Sequence, residues 1–157
     1  MTSHCTYGWA SDDPRLPPYV GGEWTWDSPL RTDYARRWAM LEIDVMVAIA
    51  IGLSLEELIA MYMGGRFYVL QSNDRDTWYD QNGRIVWTRK NLSNVGLPSR
   101  KEWNKVRDIK SGTVRHTFID RSLGYPVERT VDYLAPWECP DRVEDYKRIW
   151  EHYSAKN

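Results

Sequence analysis

Leu41-Glu42-Ile43-Asp44-Val45-Met46-Val47-Ala48-Ile49-Ala50-Ile51-Gly52-Leu53-Ser54-Leu55-Glu56-Glu57-Leu58 decides how the chain is read. Leu30, Tyr34, Trp38, Leu41, Val45 and Ile49 recur at steps of three or four, so one helix face runs into this stretch from upstream. Val45 to Ile51 is apolar all round, which predicts a helix buried on several sides. Gly52 suits the left-handed position that closes a helix. Ser54, with Glu57 three residues on, is a capping box for a second helix, and Leu53 and Leu58 stand where a hydrophobic staple would. Ser28 as cap and Pro29 as first helical residue would open the first helix. Gly64-Gly65 would end the second. Residues 29–63 are thus a helical hairpin.

Upstream, residues 1–28 are rich in proline and glycine and read as an irregular arm, packed onto the body by Trp9, Tyr19, Trp24 and Trp26. Downstream, residues 66–157 read as an α+β part of the same single domain. Phe67–Leu70 is a short strand candidate. Thr77-Trp78-Tyr79 and Arg84-Ile85-Val86-Trp87-Thr88 flank Asn82-Gly83, a hairpin signal. Residues 89–98 form a loop. Ser99 and Glu102 box the next helix, which Gly112 ends. Thr113–Asp120 and Val127–Leu134 make a second hairpin. Asp141 caps a last helix with Val143, Tyr146, Trp150 and Tyr153 on one face. The predicted class is α+β: an irregular arm, a buried helical hairpin, two β-hairpins forming a small antiparallel sheet, and a C-terminal helix.

Composition agrees with a folded domain. The chain of 157 residues is 42% hydrophobic and 27% charged, which argues against disorder. Nine tryptophans and ten tyrosines supply large buried area, or interface area where one edge stays polar. The net charge of −1 gives no global basic field. Two cysteines make no disulfide framework. No membrane span and no signal peptide is read, so a soluble cytoplasmic protein is expected.

Catalytic patterns fail in turn. His4-Cys5, Cys139, His116 and His152 lack the close pairing of a metal site, so no metal is expected. No phosphate-cradling glycine loop is present, and no cofactor is expected. Pro140-Asp141 with Asp145-Tyr146-Lys147 mimics a nuclease motif, but all lie on one short helix whose cap is Asp141. His116 and Asp120 share a strand face, yet no nucleophile accompanies them.

One charge feature stands out. Arg84, Arg89, Lys90, Arg100, Lys101, Lys105, Arg107, Lys110 and Arg115 face only two acids, Glu102 and Asp108, in that span. Arg89, Lys90, Arg100, Lys101, Lys105, Arg107 and Lys110 are the candidate nucleic-acid contacts, with Trp87 and Trp103 nearby for stacking or anchoring. The alternative is a solvated helix face, or one paired with the acidic remainder; the residues alone leave both open. The second helix, Leu55 to Tyr62, resembles half of a helix-turn-helix but offers only acids and apolar groups, so it is a poor base reader.

The opening stretch is also similar to a segment near the C-terminus of large bacterial adenine-specific DNA methyltransferases. These are of the fused restriction–modification (type II) kind found in actinobacterial phage-defence loci. The resemblance continues through Asp76-Thr77-Trp78-Tyr79-Asp80-Gln81-Asn82-Gly83-Arg84-Ile85-Val86-Trp87, Val95-Gly96-Leu97-Pro98, Pro126-Val127-Glu128-Arg129-Thr130 and Cys139-Pro140-Asp141-Arg142-Val143-Glu144-Asp145-Tyr146. It covers roughly residues 28–153. Such enzymes hold the flipped adenine with an Asn/Asp-Pro-Pro-Tyr/Phe motif; the nearest string here is Leu16-Pro17-Pro18-Tyr19, where Leu16 replaces the polar residue. The resemblance therefore implies a tail region, excised or free-standing, and not a catalytic domain. Two functions are expected. The first is a non-catalytic DNA-contacting or specificity module of a DNA-modification system. The alternative is a protein–protein scaffold, docking on a methyltransferase or nuclease subunit or on itself.

Overall fold

Thr32 opens the first helix. Its backbone is extended and its hydroxyl accepts from the Ala35 amide at 3.1 Å, so α1 runs Asp33–Ala50. The computed structural model describes residues 13–16, 23, 24, 26, 29–89 and 96–155. The expected cap Ser28 lies outside them, and Pro29 precedes the helix. The start is set at long range: the Tyr34 amide donates to the Gly83 carbonyl at 3.0 Å, in a turn 49 residues downstream.

α1 buries Tyr34, Trp38, Leu41, Val45 and Ala48 on one face. The other side of its second half is not covered. Ile43, Val47 and Ile51 are about half exposed or more, at 49%, 52% and 67%, so burial on several sides is corrected to burial on one. Gly52, at φ +79°, lets the chain reverse. α2 (Leu55–Met63) then starts on the expected capping box: the Ser54 amide donates to Glu57 Oε2 at 2.7 Å and the Glu57 amide to Ser54 Oγ at 3.2 Å. Leu53 and Leu58 both join the core, as a staple requires.

Phe67–Leu70 is not a strand. Gly65–Phe67 forms a short 3₁₀ turn and α3 (Tyr68–Asp74) follows it. Gln71 explains the turn-back: its Nε2 donates to the carbonyls of Tyr62 at 2.7 Å and Gly64 at 3.2 Å, which terminate α2. An apolar run without a period reads equally as strand or helix, and here a buried amide decides.

β1 (Thr77–Tyr79) and β2 (Ile85–Thr88) form the first hairpin. Gly83, at φ +75°, closes it, and a Cβ there would meet Thr32 and Tyr34 at 3.1 Å. Asp80, wholly buried, accepts from the amides of Asn82, Arg84 and Leu134 at 3.0, 2.8 and 3.2 Å. β3 (Gly112–Asp120) and β4 (Val127–Ala135) pair in register along nine residues. The two hairpins do not merge into one sheet; each is its own two-stranded sheet. The β1 edge is taken by an isolated bridge from Tyr79 to Glu138, and Asp80 claims the Leu134 amide that a ladder would have used. α5 (Arg142–Ser154) closes the fold, capped by Asp141, whose carboxylate accepts from Val143 and Glu144.

Two cores result. The larger joins α1, α2, α5 and Tyr79, with Trp38, Leu41, Val45 and Ile149 wholly out of solvent. Each such side chain contributes roughly 1.5–3 kcal/mol relative to exposure. The smaller is aromatic: Trp87 and Trp103 stack at 5.8 Å and 4°, and Trp78 and Trp137 close on Trp103 at 5.6 and 6.3 Å. Trp24 and Trp26 are exposed, so they do not pin the arm to the body as expected; Trp9 and Tyr19 lie outside the described residues. No helix among the described residues is long and apolar enough to cross a membrane.

Candidate nucleic-acid interface

α4 (Arg100–Val106) exists because both of its ends are specified. Ser99 and Glu102 form the capping box, with the Ser99 amide on Glu102 Oε2 at 2.7 Å, and those hydrogen bonds hold the Glu102 carboxyl below its usual pKa. Trp103, in the middle, is driven into the aromatic core, and Trp137 Nε1 donates to the Val106 carbonyl at 2.8 Å. With one face so anchored, Arg100, Lys101, Lys105 and Arg107 are left in solvent. Lys110 is exposed on the connection that leads into β3.

The partners of these cations differ. The Arg100 guanidinium lies over the Trp87 ring, 5.4 Å from its centre. Arg107 meets its neighbour Asp108 at 3.3 Å, with both side chains more than half exposed, which is worth little. Arg89 stands 3.9 Å from Asp76. Lys101, Lys105 and Lys110 form no ion pair among the described residues. Lys90 lies outside the described residues. At the edges of the segment, Arg84 donates to the Asp132 carbonyl, and Arg115 makes a two-pronged pair with the Asp132 carboxylate at 2.8 and 3.0 Å. Trp87 and Trp103 are buried against one another, so of the two roles expected of them, stacking on a base or anchoring, they have the second.

Elsewhere several acids are engaged internally. Arg15 pairs with Asp13 at 2.7 Å and Glu138 at 2.5 Å, and Arg37 with Asp145 at 2.6 Å. The chief internal network was not foreseen. Arg142 is buried and donates through Nε to Asp74 at 2.6 Å and through Nη1 to the Tyr146 hydroxyl at 3.1 Å and Asp44 at 3.4 Å. The Tyr146 hydroxyl donates to Asp44 at 2.7 Å and the Tyr62 hydroxyl to Asp74 at 3.1 Å. Burial, then the neighbouring carboxylates, push both tyrosines up to about 12. The one local signal was Asp44, a carboxylate directly before the apolar run Val45–Ile51.

The rejected catalytic patterns have structural occupations. Asp120 pairs with Arg129 at 2.5 Å and accepts from Ser122, and no hydrogen bond joins it to His116 among the described residues. His116 stacks on Phe118. Burial raises the Cys139 thiol, whose Sγ donates to the carbonyls of Asp74 and Arg75. Asp141 caps α5, Asp145 holds Arg37, and Lys147 pairs with Glu144 at 2.6 Å. Among the described residues no group of three His, Cys, Asp or Glu is placed to hold a metal. Leu16 is buried in the larger core.

Beside these sites lies an apolar groove of about 280 Å³, between the C-terminal half of α1, α2 and the turn into α3. Val47, Ile51, Met61 and Phe67 line it and are themselves exposed. No family model, no curated protein and no solved structure matches the chain.

Proposed function

We propose that this domain is a non-catalytic, DNA-contacting accessory module of a DNA-modification system, with α4 as its phosphate-facing surface. One observation carries the reading: Lys101, Lys105 and Lys110 are exposed and free of ion pairs among the described residues, while the arginines near the acids are consumed internally. Pairing with the acidic remainder accounts for Arg115, on Asp132, and for Arg89, beside Asp76, but not for these three lysines, for which a solvated helix face is the competing reading. Because Trp103 fixes the helix, the cations are presented from a rigid base, as backbone-positioning contacts need. The resemblance to the tail of fused adenine methyltransferases supplies the setting: a cytoplasmic partner of a methylating or cleaving subunit.

The test is duplex binding at low salt by the wild-type chain and by Lys101→Gln/Lys105→Gln/Lys110→Gln. The triple variant is expected to bind about ten to a hundred times more weakly on every sequence, since each lost contact removes sequence-independent affinity. Absent binding, or binding unchanged in the variant, overturns the reading.

A second reading, docking on a protein partner, is favoured by a different observation: the exposed apolar groove at the α1–α2 corner, opposite in character to α4. Patches of this kind mark interaction sites on folded proteins.

A further inference from the structure

The exposed side of α1 carries an orderly pattern. Arg36, Met40, Ile43, Val47 and Ala50 are all exposed, at steps of four, three, four and three. That is the seam spacing of two helices packed at a shallow angle. The stripe runs into the groove at Val47, which belongs to both, and the groove continues through Ile51, next in the chain to Ala50.

We infer that the occupant of this face is a second copy of the chain, with the two α1 helices packed antiparallel about a two-fold axis near residue 45. This rests on the docking reading of the face and is independent of the DNA reading. Three features point to a second copy.

The spacing is self-complementary. Reversed upon itself, the stripe sets Ile43 against Val47 and Met40 against Ala50 and Ile51, as an isologous contact demands. Ala50 leaves room for the larger Met40.

The charges also match their own reversal. The N-terminal end of the exposed side carries Arg36, which also meets Asp33 at 3.2 Å, and beyond the C-terminal end the first turn of α2 carries Glu56 and Glu57, with no basic residue in the last turn of α1. Antiparallel packing lays Arg36 of each copy beside Glu56 of the other, twice. It also sets the helix dipoles head to tail. A parallel arrangement would place like ends together.

Finally, the area is sufficient. Met40, Ile43, Val47, Ile51, Met61 and Phe67 are each two-fifths exposed or more. At that exposure each offers on the order of 100 Å². With the flanking Tyr68 and Val69 the face is comparable to the ~800 Å² that each partner gives to a standard interface.

Light scattering behind size-exclusion chromatography on the full chain tests this. The wild type is expected to be a dimer. Val47→Lys, at an exposed position, is expected to be a monomer with an unchanged circular dichroism spectrum. Arg36→Glu is expected to weaken the dimer about tenfold by placing like charges together. Arg36→Glu with Glu56→Arg is expected to restore it. A monomeric wild type, or a dimer that Val47→Lys leaves intact, overturns the inference, and failure of the double exchange to restore the dimer overturns the antiparallel register. Binding of an apolar fluorescent dye separates the two levels. A monomeric wild type whose dye binding falls in Val47→Lys keeps the docking face and loses the second copy. A monomer whose dye binding is unchanged loses both.

Discussion

Arg142, on α5, and Lys105, on α4, carry the same charge in opposite circumstances. Arg142 is held by Asp44, Asp74 and Tyr146, and it ties α5 to α1 and α3. Lys105 projects from a helix whose buried side is tryptophan, and no carboxylate pairs with it among the described residues. The chain thus sorts its charge. Arg15, Arg37 and Arg142 are each matched to a carboxylate where they are buried, because an unmatched buried charge is costly. Among the described residues, Lys101, Lys105 and Lys110 are left unmatched where water solvates them. A net charge near zero conceals this separation.

The comparison breaks most sharply at Arg142. Arg142→Ala leaves Asp44 and Asp74 without their common partner and is expected to cost about 4 kcal/mol in denaturant unfolding. A loss below about 1 kcal/mol would show the network to be incidental.

The tyrosines around the buried charges give the next effect. Tyr62, Tyr79, Tyr133 and Tyr146 are raised to about 12 from an ordinary value of 10.0, with burial as the first cause in each. A raised folded value means the neutral phenol stabilises the fold below pH 10, and that contribution is lost as pH rises from 10 through 12. Circular dichroism against pH is expected to show cooperative loss of structure in that window. Separate phenol titrations near pH 10 with the fold intact would contradict it.

Gly83→Ala addresses the join between the first hairpin and α1. The position has φ +75°, and a Cβ would press on Thr32 and Tyr34. A loss of about 1–2 kcal/mol is expected by thermal unfolding.

The smallest stability effect belongs to α4. Lys101→Gln/Lys105→Gln is expected to change unfolding free energy by less than about 0.5 kcal/mol, since both side chains are exposed and neither forms an ion pair among the described residues. A larger loss would mean that these lysines serve the fold.

How far these features were legible follows from the reach of the interactions behind them. The capping boxes of α2 and α4 are formed between residues three apart, so Ser54/Glu57 and Ser99/Glu102 announced both helices. The hairpins were announced by Asn82-Gly83 and by strand alternation. The start of α1 was not, because the Tyr34 amide answers to Gly83. Phe67–Leu70 was misread because Gln71 reaches back to Tyr62 and Gly64. Arg142 meets partners 68 and 98 positions away in the chain, a distance no local pattern encodes. On the candidate interface, the basic residues were visible as a run. That Trp87 and Trp103 face each other and not solvent depended on the packing of β2 against α4.

The salt dependence of duplex binding tests the central claim most directly. With Arg100, Lys101, Lys105, Arg107 and Lys110 engaging phosphates, log K against log salt is expected to fall with a slope of about −4.5, and Lys101→Gln/Lys105→Gln to reduce its magnitude by about 2. Binding whose slope the double variant leaves unchanged, or a wild type that does not bind at low salt, would contradict the account of α4 as a phosphate-facing surface.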